Sequence, residues 1–227
     1  MNLLEFARGP ALAVALAVFV LGTLWRFIQV WRRPPMHDLS PPREGAPSKL
    51  RGALGAVVRG MWPRQAFGSA ARVVTINGYV FHIGLALIFF GYAPHIAFVN
   101  RTIGLSWPAL PDEVMYLAAG ATIITLLLAL AMRLTDAVRR KISNADDFIT
   151  WWVVFLPVLT GMAVLNEASS LTLTRAHVIY PNPLAIHLLS LELLLIWFPF
   201  GKLMHAFFFA FSRGATGVRF SHRGVHL

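Results

Sequence analysis

The chain has 227 residues, 57% of them hydrophobic and only 13% charged, with a net charge of +10. That balance belongs to a membrane protein and excludes an ordinary soluble domain. Cysteine is absent, which excludes disulfides, cysteine-ligated iron–sulfur clusters and covalently attached c-type haem within this chain.

Five segments are apolar and long enough to cross a hydrocarbon core of about 30 Å. They predict an all-α integral membrane bundle of five transmembrane helices, a single domain over residues 1–227. The first runs Pro10–Val30. It lacks a clear small-x-small cleavage site, and Trp25-Arg26 reads as an interfacial anchor, so it is a span and not a signal peptide. The loop 31–75 has two parts. From Arg33-Pro34-Pro35 to Pro47 it is polar and proline-rich, hence irregular. From Lys49 to Trp62, Leu50, Leu54, Val57, Val58 and Met61 fall at helical spacing with Arg51 and Arg59 interleaved. This pattern suits an amphipathic helix, either on the membrane surface or docked on a partner subunit.

The second span, Gly78–Val99, carries His82 and His95. Its Gly84 and Gly91 suit either close approach of a flat cofactor or bare helix packing. The third and fourth spans are Val114–Met132 and Phe148–Leu165. The fifth, Leu184–Phe211, carries His187, Glu192 and His205, followed by a basic tail over 212–227.

Charge sets the orientation. Of 20 lysines and arginines, only Arg8, Arg101 and Arg175 fall on one side. The positive-inside rule places the N-terminus outside and the C-terminus in the cytoplasm. Because the positive charges flank apolar segments and follow topology, they do not indicate nucleic acid.

Ionisable residues within spans default to function. His37, His222 and His226 lie in polar cytoplasmic segments and read as solvated; His177 precedes span five. The remaining four form two pairs at matched depth on antiparallel spans: His82 with His205 near the inner face, His95 with His187 near the outer face. On a straight helix, the 18 residues from His187 to His205 make five turns, about 27 Å, with both rings on one side. Two imidazoles per site suit the axial positions of a haem iron, an arrangement that favours electron transfer over small-ligand binding. His82 and His95, by contrast, point about 140° apart on an ideal helix. Pro94 can distort that turn and swing His95 into place; otherwise His177 is the fallback ligand.

From His187 to His205, with Phe198-Pro199-Phe200 before the second His, the chain resembles the gamma subunit of respiratory nitrate reductases. Phe81-His82-Ile83-Gly84, Gly91, Arg133-Leu134-Thr135-Asp136, Ser143 and Asp147 extend the likeness over residues 78 to 213. The resemblance implies a five-helix dihaem cytochrome b with an outer N-terminus. His82 and His205 match the ligands of the inner haem b, and His187 matches one ligand of the outer haem b. The family's other outer ligand falls on Tyr92 here, and His95 is the substitute. Met115 follows Glu113-Val114, where the family has a lysine implicated in quinol binding. Related gamma-like cytochromes serve heterodisulfide-reductase-like and sulfite-reductase-linked membrane complexes.

The implied role is an electron-transfer subunit in a bacterial inner membrane. It would link the quinone pool, at an outer-face site, to an iron–sulfur partner on the cytoplasmic face. Asp112 and Glu113 suit either the neighbourhood of the quinone pocket or a plain helix N-terminus. Arg72 and Lys202 suit haem propionates or simple positive-inside placement. Glu192 lies off the histidine stripe and reads as interhelical glue. The rival is a non-redox anchor or proton-conducting transport subunit with gating histidines; such transporters favour inverted repeats, and none is evident.

Overall fold

The structure is a computed structural model that describes residues 2–34, 38–62, 68–168 and 181–225, with only the backbone of 68–71 and 166–168. Its described residues form helices joined by turns and loops, without strands. Four helices are long and apolar enough to span a membrane, and a fifth span is possible if one bent pair counts as a single crossing.

The first span is longer than predicted. Helix α1 covers Leu3–Trp31, begins with a capping box between Asn2 and Glu5, and widens into a π turn at Ala7–Ala11 around Pro10, where proline removes a backbone donor. The amphipathic stretch forms α2, Lys49–Arg59, capped by Ser48. Helix α3 covers Gly68–Gly91, and a short α4 covers Ala93–Ile103. Helix α5 is Asp112–Thr135 with Asp112 and Glu113 in its first turn, as helix polarity favours. Then come α6, Ala137–Ile142, and α7, Ala145–Ala168. The last two are α8, Pro181–Trp197, and α9, His205–Arg223.

Two predicted spans are therefore broken. Span two ends at Gly91, and Tyr92 adopts an extended conformation before α4. Pro94 explains this, since its ring clashes with the carbonyl four residues back and its nitrogen cannot donate. Span five does not continue straight to Phe211. It stops at Trp197, passes through Phe198-Pro199-Phe200-Gly201 and a 3-10 turn at Lys202–Met204, and leaves at 77°. The straight-helix spacing of 27 Å between His187 and His205 does not survive. Ten residues of α8 follow His187, giving about 15 Å of rise, and the remainder of the path runs sideways.

Helices α3, α5, α7 and α8 surround the main core. Leu126, Val154, Phe155 and Val158 form its centre, with Phe81, Leu85, Ile88, Leu194 and Leu203 packed around them. Neighbours run α3 on α5, α5 on α7, α7 on α8, and α1 on the outside of α8. Helices α3 and α8 meet only around the core and share no seam of their own. Gly84 of α3 lies against Thr122 and 3.3 Å, measured from an added Cβ, from the Ala118 carbonyl of α5; Gly91 lies against Leu110 and Met115. Both glycines serve helix packing. Gly84→Ala is expected to cost about 1–3 kcal/mol through overpacking, visible as a lower thermal midpoint in detergent.

The two surface helices α2 and α9 pack through small residues. An added Cβ on Gly52 would sit 2.6 Å from Ser221 Oγ, and Gly217 lies against Ala56 and the Gly52 carbonyl. Such a seam allows close backbone approach. It leaves Leu50, Leu54 and Val58 exposed on the opposite side of α2.

The end of α9 is held by the preceding loop. His222 Nε2 bonds the Ser40 carbonyl at 2.9 Å, so this histidine is not merely solvated. Asp38 accepts from Arg223 Nε at 2.7 Å and from Ser40 Oγ at 2.6 Å. These bonds, Arg223 first, hold the Asp38 carboxyl well below the usual carboxylate range. A depressed folded pKa means the Asp38 share of this attachment is complete above the usual range and lost as pH falls through the folded value, while the His222–Ser40 bond does not depend on that charge. Hydrogen-exchange protection of residues 220–225 should show no loss from Asp38 between neutral pH and about pH 5 and should weaken only in stronger acid.

Candidate functional site

The structure brings the four span histidines together in the predicted pairs. The ring centroids of His82 and His205 are 6.0 Å apart with planes crossed at 85°. Those of His95 and His187 are 6.4 Å apart with planes within 14° of parallel. His177, His37 and His226 lie outside the described residues.

The backbone breaks make both meetings possible. His95 belongs to the first turn of α4, past the break at Tyr92, so the helical phase separating it from His82 no longer applies. His205 opens α9, past the bend after Trp197. Each site thus combines one histidine from the body of a long helix with one from the start of a helix that follows a break in the other span.

A shared hydrogen-bond pattern orients all four rings. His82 Nδ1 meets the Gly78 carbonyl at 2.7 Å, and His205 Nδ1 meets the Lys202 carbonyl at 2.8 Å. His95 Nδ1 meets the Ile88 carbonyl at 3.0 Å. That carbonyl belongs to the last turn of α3, where backbone acceptors lack intrahelical partners. Two other carbonyls of the turn are also used: Phe90 accepts from Trp107 Nε1 at 2.5 Å and Gly91 from the Leu110 amide at 2.9 Å. His187 Nδ1 stands 3.2 Å from Thr160 Oγ1, whose own proton goes to the Leu156 carbonyl at 2.7 Å. A carbonyl only accepts, so Nδ1 of His82, His205 and His95 must donate. Thr160, with its proton engaged, accepts from His187 in the same way. Nε2 is left as the basic nitrogen on each ring.

This is the pattern of metal-bound histidine, in which the second nitrogen donates to a protein acceptor that fixes tautomer and orientation. The spacing agrees. With metal–nitrogen bonds of about 2 Å and a ring radius slightly above 1 Å, two axial imidazoles have centroids about 6 Å apart. Among the described residues no group of three or more His, Cys, Asp or Glu could hold a metal ion. Each site offers two protein nitrogens, which suits a metal that brings its own equatorial donors, as haem iron does. The residues present therefore fit haem b.

Sequence reasoning missed the supports. Thr160 and Ser190, 3.0 Å apart, flank His187 on α7 and α8, and Ser190 Oγ donates to the His187 carbonyl at 2.6 Å. An added Cβ on Gly161 would lie 3.0 Å from His187 Cε1, so this glycine makes room for the ring. The available signal was Thr160-Gly161, a small polar pair one turn past Pro157. Lys202, considered for a cofactor carboxylate, pairs instead with Asp147 at 2.6 Å. Arg72 is exposed. Glu192 is 4% exposed, and among the described residues its Oε1 has no hydrogen-bond partner. Tyr92 is buried, and its hydroxyl donates to the Leu165 carbonyl at 3.2 Å.

No family model matches the chain. It is 29% identical over 219 residues to a protein of Nitratidesulfovibrio vulgaris (strain Hildenborough), covering 95% of this chain and 92% of that one. The similarity therefore runs through the whole stretch from His82 to His205 and across nearly the full length of both proteins.

Proposed function

We propose that this chain is a dihaem membrane cytochrome b, an electron-transfer subunit similar to the gamma subunit of respiratory nitrate reductases or its heterodisulfide- and sulfite-reductase-linked relatives. His82 and His205 hold the haem at the basic end, which faces the cytoplasm; His95 and His187 hold the other, toward the outer face. Bound haem supplies reversible one-electron chemistry at each site. The chain's own contribution would be two imidazoles for each iron, which would block small-ligand binding, together with the partial burial of His95 and His187 among apolar helices, which with ligation would tune the potential of that haem. The substrate on the outer side is a quinone. The partner on the basic cytoplasmic face is an iron–sulfur subunit, and the setting is a bacterial inner membrane.

The observation that carries this reading is the matched design of both sites: two imidazoles about 6 Å apart, each with Nδ1 engaged by a protein acceptor. Hydrogen-bonding or gating histidines have no reason to repeat that arrangement twice. A visible spectrum of the purified chain tests it. Reduced-minus-oxidised bands of b-type haem, with a pyridine haemochrome ratio of two per polypeptide, are expected; a folded, colourless protein refutes the proposal. A proton-conducting subunit is the second reading, favoured by the buried Glu192, whose Oε1 has no partner among the described residues, and the colourless result would favour it.

A further inference from the structure

The bend between α8 and α9 carries His205, and both of its flanks are tied to α7. On one side Trp197 Nε1 donates to Thr150 Oγ1 at 3.1 Å. On the other Lys202 Nζ meets Asp147 Oδ1 at 2.6 Å. Asp147 and Thr150 are three residues apart and share a face of α7. Asp147 is itself fixed. Its side chain is 7% exposed and also meets Arg133 Nη1 of α5 at 3.1 Å. It exchanges two bonds with Asn144, which donates its amide to Asp147 Oδ2 at 3.0 Å and accepts the Asp147 amide at 3.3 Å. Arg133 in turn donates to Ser143 Oγ at 2.7 Å, which donates to the Arg139 carbonyl at 2.6 Å. The free end of this network is Lys202, whose backbone carbonyl accepts from His205 Nδ1 at 2.8 Å.

We propose that Asp147 is the positioning residue of the basic-end histidine pair: through the Lys202 ammonium it locks the turn whose carbonyl sets the rotation of the His205 ring. This inference rests on the dihaem reading. Among the described residues no ion pair is tied to the other pair, whose supports are Thr160 and the Ile88 carbonyl. Loss of the Asp147 charge frees Lys202 and lets its carbonyl turn. His205 then rotates about its Cβ–Cγ bond, and the crossing angle with His82, 85° at rest, changes. The nearly parallel outer pair is unaffected.

The ring-plane angle of two axial imidazoles controls the electron paramagnetic resonance of low-spin ferric haem. Crossed planes give a highly anisotropic signal and parallel planes a rhombic one, so each pair reports separately. The experiment uses the oxidised full-length protein in detergent or nanodiscs, with a redox titration alongside. Asp147→Asn and Lys202→Met are each expected to move the anisotropic signal toward the rhombic form and shift the midpoint of one couple. The other signal should stay in place. The double variant should shift no further than either single, because both remove one link, and Asp147→Glu should keep the wild-type spectrum. Lys202→Met removes a half-exposed side chain, so it serves if Asp147→Asn does not accumulate. Unchanged spectra, equal changes in both signals, or additive shifts would overturn the inference. A wild-type protein lacking haem signals would instead overturn the dihaem reading on which it stands.

Discussion

His205→Ala is expected to bring the haem content down from two per polypeptide to one. Among the described residues no other imidazole faces His82 at that end, and the next turn of α9 offers only Ala206 and phenylalanines 207–209, which cannot bind iron. The loss should be selective. The other pair is held by Thr160 and the Ile88 carbonyl, neither of which touches the bend at Phe198–Gly201. Second-sphere losses at metal sites typically cost 10–100-fold in affinity, so removing the ligand itself should empty the site at ordinary concentrations. The pyridine haemochrome assay reads the ratio, and low-temperature spectra show which α-band has gone. Two haems in the variant would refute the assignment of His205.

The second large effect separates His95 from Tyr92. The resemblance to nitrate reductase gamma subunits puts a ligand at the position of Tyr92, but a phenol buried against the Leu165 carbonyl is committed elsewhere. Its ring packs edge-on against His95 at 5.2 Å and so walls the site. His95→Ala should remove the outer haem and retain the inner one. Tyr92→Phe should keep both, losing about 0.5–1.5 kcal/mol of stability with the hydrogen bond, read as a lower thermal midpoint. The reverse outcome, with haem lost from Tyr92→Phe and kept in His95→Ala, would return the ligand role to the tyrosine.

The pairing of the histidines was legible because it depends on depth, and depth follows from topology and counting. Two antiparallel spans with a histidine near each end can match only one way. The orientation of the rings was not legible for span five. There the 18-residue spacing predicted a straight helix and a shared face, and Phe198-Pro199-Phe200-Gly201 bends it instead. For span two the same reasoning flagged Pro94 as the agent that would rescue His95, and the extended Tyr92 just before it does so. Proline within an apolar run was thus informative in both segments, but its weight was recognised in only one. The roles of the supports went unread for a different reason, even for Asp147, which the resemblance had marked. Thr160, Gly161 and Asp147 lie on α7, a helix with no histidine. Their relevance depends on packing between α7 and α8 that a linear pattern does not contain.

The hinges at Tyr92 and at the Phe198–Gly201 bend also bear on how relatives of this chain can be found. In an unbroken helix, adding one residue between two liganding side chains rotates one of them by about 100° and destroys the site. Where a kink separates them, the chain re-aims the second ring after the insertion and the site survives. The number of residues between the two histidines of one span is thus an elastic quantity here, and a search built on a fixed interval would pass over proteins that bring the same two pairs of imidazoles together.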